Sequence, residues 1–300
     1  MRVTSLLLLL LCLCALLSCN RSRDYSPVRI GIITPSINHL PISLAIEQRY
    51  INTSKVQVVT FTSGWELQEA ITSNKIDMAI MPFTYGWTSI AKGYKLKIIS
   101  CLERETDGIL ALPSLRTMDS LNNKKIGLLR ASTLDVLMQD TAKKMNIKYT
   151  PVYFRTPSEM YAALHAKDVQ AIVSYVPLIQ KKGAEYHVVH WFSDTYPGHP
   201  CCDLIATEGV LQAKPEVVSL IENGLKKAVT DINKPTDESV ELLQRLYSLD
   251  RVESIESLKH TVFRFSISDK DKQFERQMMQ YFLINDYVTR IPSINDVYGR

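Results

Sequence analysis

The residues best suited to chemistry by type and spacing form one short run, His199-Pro200-Cys201-Cys202-Asp203. Imidazole, thiolate and carboxylate groups are all good metal ligands. Adjacent residues of an extended chain point to opposite sides, however, and no second ligand pair follows at finger-like spacing. Three interpretations stay open: buried free thiols, a disulfide from Cys101 to one of the pair, and a metal site. We favour free thiols and predict neither a metal nor a cofactor.

The sequence lacks the motifs through which many enzymes assemble a nucleophile, a metal or a phosphate cradle. It contains no G-x-S-x-G, H-E-x-x-H, G-x-x-x-x-G-K-[ST], G-x-G-x-x-G or C-x-x-C. Two acidic pairs, Glu103/Glu105 and Asp237/Glu238, lie in polar segments, which predicts solvated carboxylates. We therefore predict a protein that is not an enzyme.

Composition narrows the function classes further. The chain has 300 residues, 46% of them hydrophobic and 22% charged, which is typical of a globular protein of about two domains. This balance excludes a disordered tail, a collagen-like rod and a multi-span membrane protein. The formal net charge is only +4 and the basic residues are scattered, so we expect no nucleic-acid partner.

The N-terminus has the features of an export signal. Arg2 precedes an apolar run from Leu6 to Leu17, which is too short to cross a bilayer comfortably but suits a signal-peptide core. The run ends in Leu16-Leu17-Ser18-Cys19, which resembles a bacterial lipobox. We predict a signal peptide over 1–18 and lipidation of Cys19. An ordinary cleavable signal or an N-terminal anchor is the alternative.

A lipidated N-terminus places the folded part outside the cytoplasm. Residues 19–27 are mostly polar and without periodicity, which predicts a tether. Acyl chains such as palmitate hold a protein on a membrane surface without spanning it. We expect an extracytoplasmic lipoprotein on a bacterial membrane.

Downstream, strands alternate with helices. Apolar runs predict strands over 28–33, 56–61, 78–81, 96–101, 109–112, 125–129, 150–154, 171–175 and 188–191. Helical patterns occupy 41–49, 65–72, 133–145 and 157–166, and only helices follow residue 215, over 215–233, 237–249 and 270–289. Such alternation predicts an α/β protein with parallel sheets. An echo between 70–77 and 163–170 favours two similar lobes, with chance similarity as the alternative.

Several motifs in this order resemble the solute-binding proteins of ABC importers, in the group that serves sulfonates, taurine, nitrate and thiamine-pyrimidine precursors. They are Asn38-His39-Leu40-Pro41 with Ala45, Ile76-Asp77-Met78-Ala79, Leu121 to Gly127 with Ser132-Thr133, Val169-Gln170-Ala171 with Pro177, and the helix starting at Lys214-Pro215. Departures from the group's pattern at Arg49, Asn74, Lys167 and Gln170 mark a divergent member. The identity of the solute is therefore not carried over.

The resemblance implies a two-lobed periplasmic-binding-protein fold of type II, with two sheets, helices on both faces and a two-strand hinge. Domain I would comprise 28–103 and 203–300, and domain II 104–202. Such lobes close on a solute held by strand-end loops. The implied partners are a small-molecule solute and the permease and ATPase subunits of an importer. The resemblance also makes the strands that carry Cys101 and Cys201-Cys202 antiparallel neighbours.

The loops at the carboxyl ends of the strands supply the candidate solute-binding residues. They are Ser36, Asn38, His39, Gly64, Trp65, Phe83, Thr84 and Tyr85 in domain I, and Arg130, Ser132, Thr133, Ser174 and Tyr175 in domain II. A helix starting at Ser132-Thr133, with Arg130 beside it, suits an oxyanion. The aromatic residues suit a flat ring or an alkyl chain. We expect a heteroaromatic compound or an organic anion.

Three of the candidate residues and the function of the whole protein have alternative interpretations. Trp65 and Phe83 are equally compatible with a hydrophobic core, and Arg130 with an ion pair to a nearby carboxylate. For the whole protein, the alternatives are a surface lipoprotein that uses the same fold as an adhesin or sensor, and a relative of a thiamine-pyrimidine synthesis enzyme. The secreted context disfavours the enzyme.

Overall fold

The computed structural model describes residues 26–182, 185–234 and 237–299. The predicted signal peptide, Cys19 and most of the tether lie outside the described residues. Within the described ranges, no helix combines the length and the apolar character that a membrane crossing requires.

The strands are β1 (Val28–Ile33), β2 (Val56–Phe61), β3 (Met78–Pro82), β4 (Leu96–Arg104), β5 (Asp107–Ala111), β6 (Lys125–Leu129), β7 (Thr150–Phe154), β8 (Ala171–Tyr175), β9 (His187–Trp191), β10 (Pro200–Thr207) and β11 (Val262–Phe263). The helices are α1 (Leu40–Glu47), α2 (Gly64–Thr72), α3 (Phe83–Ala91), α4 (Thr133–Lys144), α5 (Pro157–His165), α6 (Leu178–Lys182), α7 (Phe192–Thr195), α8 (Glu208–Ala213), α9 (Pro215–Ile232), α10 (Asp237–Tyr247), α11 (Arg251–Lys259), α12 (Asp269–Ile284) and α13 (Ile294–Val297).

These strands form two sheets. The first has the order β11-β4-β10-β3-β1-β2 and the second has the order β7-β6-β8-β5-β9. Helices cover both faces of each sheet and bury four clusters of apolar side chains. The assignment of the two sheets to two separate domains stays a prediction.

Both sheets are mixed: they contain the predicted parallel pairs, and the antiparallel pairing that the resemblance implied for the strands of Cys101 and Cys201-Cys202 is confirmed. Strand β10 runs antiparallel to β3 and β4, and β5 runs antiparallel to β8 and β9. Strand β4 leads into β5 of the second sheet after only two residues. The chain leaves the first sheet along β4 and returns along β10, and a return beside the outgoing strand must be antiparallel.

A buried ion pair holds the two crossings between the sheets. Arg104, at the end of β4, donates to both carboxylate oxygens of Asp271 at 2.7 and 2.9 Å. The same guanidinium donates to the carbonyl oxygen of Gly198, just before β10, at 2.9 Å. Because Arg104 is only 1% exposed, this pair fixes both crossings against α12.

Most predicted elements are present within a few residues of their predicted bounds. The elements that were not predicted are the helices α3, α6, α7, α8, α11 and α13 and the strand β11. Helix α3 is rich in aromatic and β-branched residues and contains Gly86, all of which have modest helix propensity. Phe83 to Ile90 are nevertheless all buried. Tertiary packing therefore stabilises this helix where local propensity does not.

Candidate functional site

A cavity lies where strand ends of the two sheets meet. Residues that follow β1, β2 and β3 line one side, and residues that follow β6, β7 and β8 line the other. Its empty volume, including the open mouth, is about 650 Å³.

The structure brings nine of the thirteen predicted solute-binding residues to the cavity. These are Ser36, Asn38, Gly64, Trp65, Tyr85, Arg130, Ser132, Thr133 and Tyr175. Their contact with a solute stays a prediction. The alternative that Trp65 belongs to the core does not apply, because its side chain is 56% exposed at the cavity.

The other four predicted residues lie in the protein interior and do not line the cavity. Nε2 of His39 accepts a hydrogen bond from the Ile33 backbone N–H at 2.9 Å, and burial lowers the pKa of this imidazole to about 3. Ser174 is buried and bonds the Tyr161 hydroxyl at 2.8 Å.

Phe83 and Thr84 are wholly buried because they start helix α3 instead of forming a loop. Successive helical residues are about 100° apart around the axis. Of the three predicted residues on this helix, only Tyr85 lines the cavity.

Position 64 requires glycine because the Tyr85 ring packs against it. A Cβ atom at Gly64 would lie 2.2 Å from Cε2 of Tyr85. The missing side chain therefore lets the Tyr85 ring lie directly against the start of α2. Trp65, Phe154 and Tyr175 complete the aromatic part of the lining.

The start of α4 provides the polar and cationic part of the lining. Ser132 caps the helix by accepting the Asp135 backbone N–H at 3.3 Å. The next backbone N–H groups, those of Thr133 and Leu134, belong to the first turn, whose donors have no intrahelical partner. The Arg130 guanidinium lies 5.7 Å from the Tyr153 ring centre and 5.2 Å from that of Tyr287.

Arg130 is exposed at the cavity, and its hydrogen bond to Tyr287 raises the pKa of the guanidinium. Within the described ranges no carboxylate lies at ion-pair distance from Arg130, although the charge of Asp135 contributes to its raised pKa. Binding of a solute by Arg130 stays a prediction.

Sequence reasoning missed the floor of the cavity, where two carboxyl groups and two thiols meet. Glu103 was predicted to be solvated, but it is 1% exposed because β4 continues three residues beyond its predicted end. Thr106 donates a hydrogen bond to Oε1 of Glu103, and burial raises the pKa of this carboxyl to about 7. Asp107 is fully buried beside the Cys201 thiol, 3.6 Å away.

The cysteine pair also departs from expectation. Cys101, Cys201 and Cys202 are all buried and none of them is in a disulfide, so the predicted alternative of a disulfide from Cys101 is wrong. Adjacent residues of a regular strand would point apart, but the pairing of β10 with β4 shifts register on both sides of Cys202. This bulge leaves the sulfur atoms of Cys201 and Cys202 only 3.8 Å apart.

Other residues of the lining were missed for lack of a signal. Thr62, Ser63, Phe154 and Arg155 all line the cavity or its mouth. Of these, Ser63 alone fits a sequence pattern, that of a helix N-cap. Its side chain accepts a hydrogen bond from the Glu66 backbone N–H and caps α2.

Comparison with solved structures identifies the fold. The ligand-binding component of an ABC-type import system from Staphylococcus aureus, solved with zinc bound, matches with a TM-score of 0.80 at 19% identity, over 91% of this chain and 96% of that chain. The alkanesulfonate-binding protein SsuA from Xanthomonas axonopodis pv. citri, bound to MOPS, matches with a TM-score of 0.80 at 18% identity, over 91% and 98%. The chain has the fold of these solute-binding proteins.

A structure with lower sequence identity, a binding protein for a different solute, has the same fold. The periplasmic nitrate-binding protein NrtA from Synechocystis PCC 6803 has a TM-score of 0.75 at 12% identity, over 92% of this chain and 86% of that chain. No protein-family model matches the sequence, and no curated protein sequence does. The predicted two-sheet, periplasmic-binding-protein-like fold is confirmed, and the neighbours named here are binding proteins.

Proposed function

We propose that the protein is an extracytoplasmic solute-binding lipoprotein of an ABC importer. It captures a small organic solute between two lobes and delivers it to the permease and ATPase subunits. The observation that carries this proposal is the cavity at the strand ends of both sheets, which nine of the predicted residues line. The fold and the absence of a catalytic motif from the sequence agree with binding without chemistry.

The lining favours a heteroaromatic compound or an organic anion. Trp65, Tyr85 and Tyr175 offer flat apolar faces on which a ring or an alkyl chain can pack. Arg130 and the first-turn N–H groups of α4 favour a negatively charged group, because both present donors and positive charge to the cavity. A solute with an apolar body and one anionic group would use both parts.

Native mass spectrometry of the protein purified without added ligand tests the proposal and identifies a retained solute. Trp65→Ala and Arg130→Ala should then each weaken the binding of that solute more than tenfold in calorimetric titrations. A tenfold change corresponds to a loss of about 1.4 kcal/mol in the free energy of binding. Neither change should lower the melting temperature of the empty protein much, since both side chains are exposed.

Two exposed residues away from the cavity provide matched controls. Tyr94→Ala and Arg116→Ala remove an aromatic and a basic side chain that do not line it, and both should bind the solute like wild type. Unchanged affinity in both the Trp65 and Arg130 variants would place the binding site elsewhere.

The lipid anchor is proposed from the sequence of the N-terminus. Cys19→Ser should accumulate as an unprocessed precursor and incorporate no labelled fatty acid, whereas the wild type should incorporate it. Absence of label from the wild type would contradict lipidation and leave the cavity proposal intact.

A further inference from the structure

Three potential metal ligands converge on the floor of the cavity. The sulfur atoms of Cys201 and Cys202 and a carboxylate oxygen of Glu103 all lie within 4.8 Å of one another. All three residues are buried and all three line the cavity. They come from the two adjacent strands β4 and β10, which hold them in a fixed arrangement.

The spacing of the two sulfur atoms fits a tetrahedral metal ion. Zinc–thiolate bonds are about 2.3 Å long, so two thiolates on one tetrahedral ion lie about 3.8 Å apart. The observed separation is 3.8 Å. The bulge at Cys202 therefore produces the separation that two neighbouring thiolates need in order to chelate one ion.

The surrounding groups would orient the ligands. The buried carboxylate of Glu103 lies beside the Cys202 thiol, which hydrogen-bonds to it, and Thr106 donates to its Oε1. Nδ2 of Asn38 donates to Sγ of Cys202 at 2.8 Å, a contact that stabilises a thiolate. Asp107 lies beside Cys201 and 3.4 Å from Nε2 of His199.

The cluster lacks a counter-charge of its own. No lysine or arginine among the described residues forms an ion pair with Glu103. A divalent cation would displace the protons of the two thiols and of the carboxyl group and neutralise the ligands.

We propose that Cys201, Cys202 and Glu103 form a binding site for a thiophilic divalent cation of the zinc type. Two sulfur ligands and one oxygen ligand suit such an ion, which prefers four-coordination. Because all three residues line the cavity, water or an atom of a bound solute would be able to supply a fourth ligand. The site needs no solute and is tested without one, so its failure would not affect the proposed solute-binding function.

Titration of the reduced, purified wild-type protein with Zn²⁺ against a chromophoric chelator tests this site. One ion per chain should bind with a submicromolar Kd. Cys201→Ser and Cys202→Ser should each weaken zinc binding at least 100-fold, and Glu103→Gln should weaken it about tenfold. Cys101→Ser is the matched control, since it removes a buried thiol of the same strand pair that does not line the cavity.

Experiments on the wild type keep the test independent of whether the variants fold. Cobalt substitution should produce a thiolate-to-cobalt charge-transfer band with the intensity of two thiolates, and Zn²⁺ should protect Cys201 and Cys202 from alkylation. The melting temperature of each metal-free variant shows which variants retain the native structure. An unprotected cysteine pair, a cobalt complex without the band, or a Cys101→Ser loss equal to that of the pair would overturn the proposal.

Discussion

At the scale of single residues, burial sets the ionisation of several carboxyl groups behind the cavity. Glu275 of α12 is fully buried and accepts hydrogen bonds from Nε1 of Trp87 at 2.8 Å and from the Tyr298 hydroxyl. Despite these bonds, burial raises the pKa of Glu275 to about 7. Burial and the nearby Glu275 also raise the pKa of Asp203.

Each of these carboxyl groups makes the protein less stable as the pH rises, whereas the lowered pKa of His39 has the opposite effect up to about pH 6.5. A carboxyl whose pKa is higher in the folded than in the unfolded protein binds an extra proton in the folded state over the interval between the two values. For Glu275 this interval runs from about pH 4.5 to about pH 7, so its stabilisation is complete below the interval and lost above it. Urea unfolding from pH 6.5 to pH 8, above the interval in which His39 titrates, should show a falling free energy of unfolding.

Glu275→Gln should flatten this dependence by roughly 1–3 kcal/mol across the interval, because glutamine still accepts hydrogen bonds but does not titrate. Glu241→Gln, at an exposed position, is the matched control and should keep the wild-type pH dependence. A Glu275→Gln variant with an unchanged pH dependence would contradict the assignment.

The sequence predicted the lining residues that lie at the ends of strands, but it did not predict which charged residues are buried. Trp65 was placed at the cavity because it follows β2, and Tyr175 because it ends β8. Glu103 was read as solvated because its neighbours Arg104 and Glu105 are charged. The sequence does not reveal that Arg104 is neutralised by Asp271, 167 positions away, which allows β4 to continue into the interior.

At the scale of elements, the contact between α2 and α3 shapes the cavity. Gly64→Ala would bring a methyl group to 2.2 Å from the buried Tyr85 ring, which would have to move. We expect this change to destabilise the protein by about 1–3 kcal/mol and to weaken solute binding more than tenfold. Chemical denaturation and calorimetric titration measure the two effects.

Gly209→Ala in α8 is the matched control for that substitution. Its added methyl group would meet only Oγ1 of Thr207, at 3.9 Å. Alanine is also the better helix former, so this variant should be as stable as wild type or up to about 1 kcal/mol more stable. Equal stability and affinity for both alanine variants would show that Tyr85 is free to move and does not define the cavity wall.

The order of most elements followed from periodicity, because their apolar faces repeat regularly against the sheets. Two features did not. Helix α3 forms through packing alone, and it turns Phe83 and Thr84 away from the cavity. The bulge in β10 depends on its pairing with β4, a contact between segments about 100 residues apart, so no local pattern predicted that the two thiols would meet.

At the scale of the whole molecule, polar contacts join the part that forms the second sheet to the C-terminal helices. The Tyr281 hydroxyl of α12 donates to Oδ1 of Asp140 in α4 at 2.6 Å, and Nδ2 of Asn285 donates to Oε1 of Gln139 at 2.9 Å. On another strand, the Trp191 ring stacks on His260 with a centroid distance of 4.0 Å. If the two sheets belong to lobes that move apart, these contacts would exist only in the closed arrangement.

Tyr281→Phe tests this coupling without altering the cavity lining. Loss of one hydrogen bond across the two parts would destabilise the closed arrangement by about 1 kcal/mol, and solute affinity would fall about three- to tenfold, because binding must then offset a less populated competent state. Tyr50→Phe is the matched control, since its hydroxyl donates to Asp231 at 2.7 Å between elements on the first sheet's side. Calorimetric titration of both variants with the solute identified by mass spectrometry should show weakened binding only for Tyr281→Phe, whereas equal affinities would mean that closure does not depend on this contact.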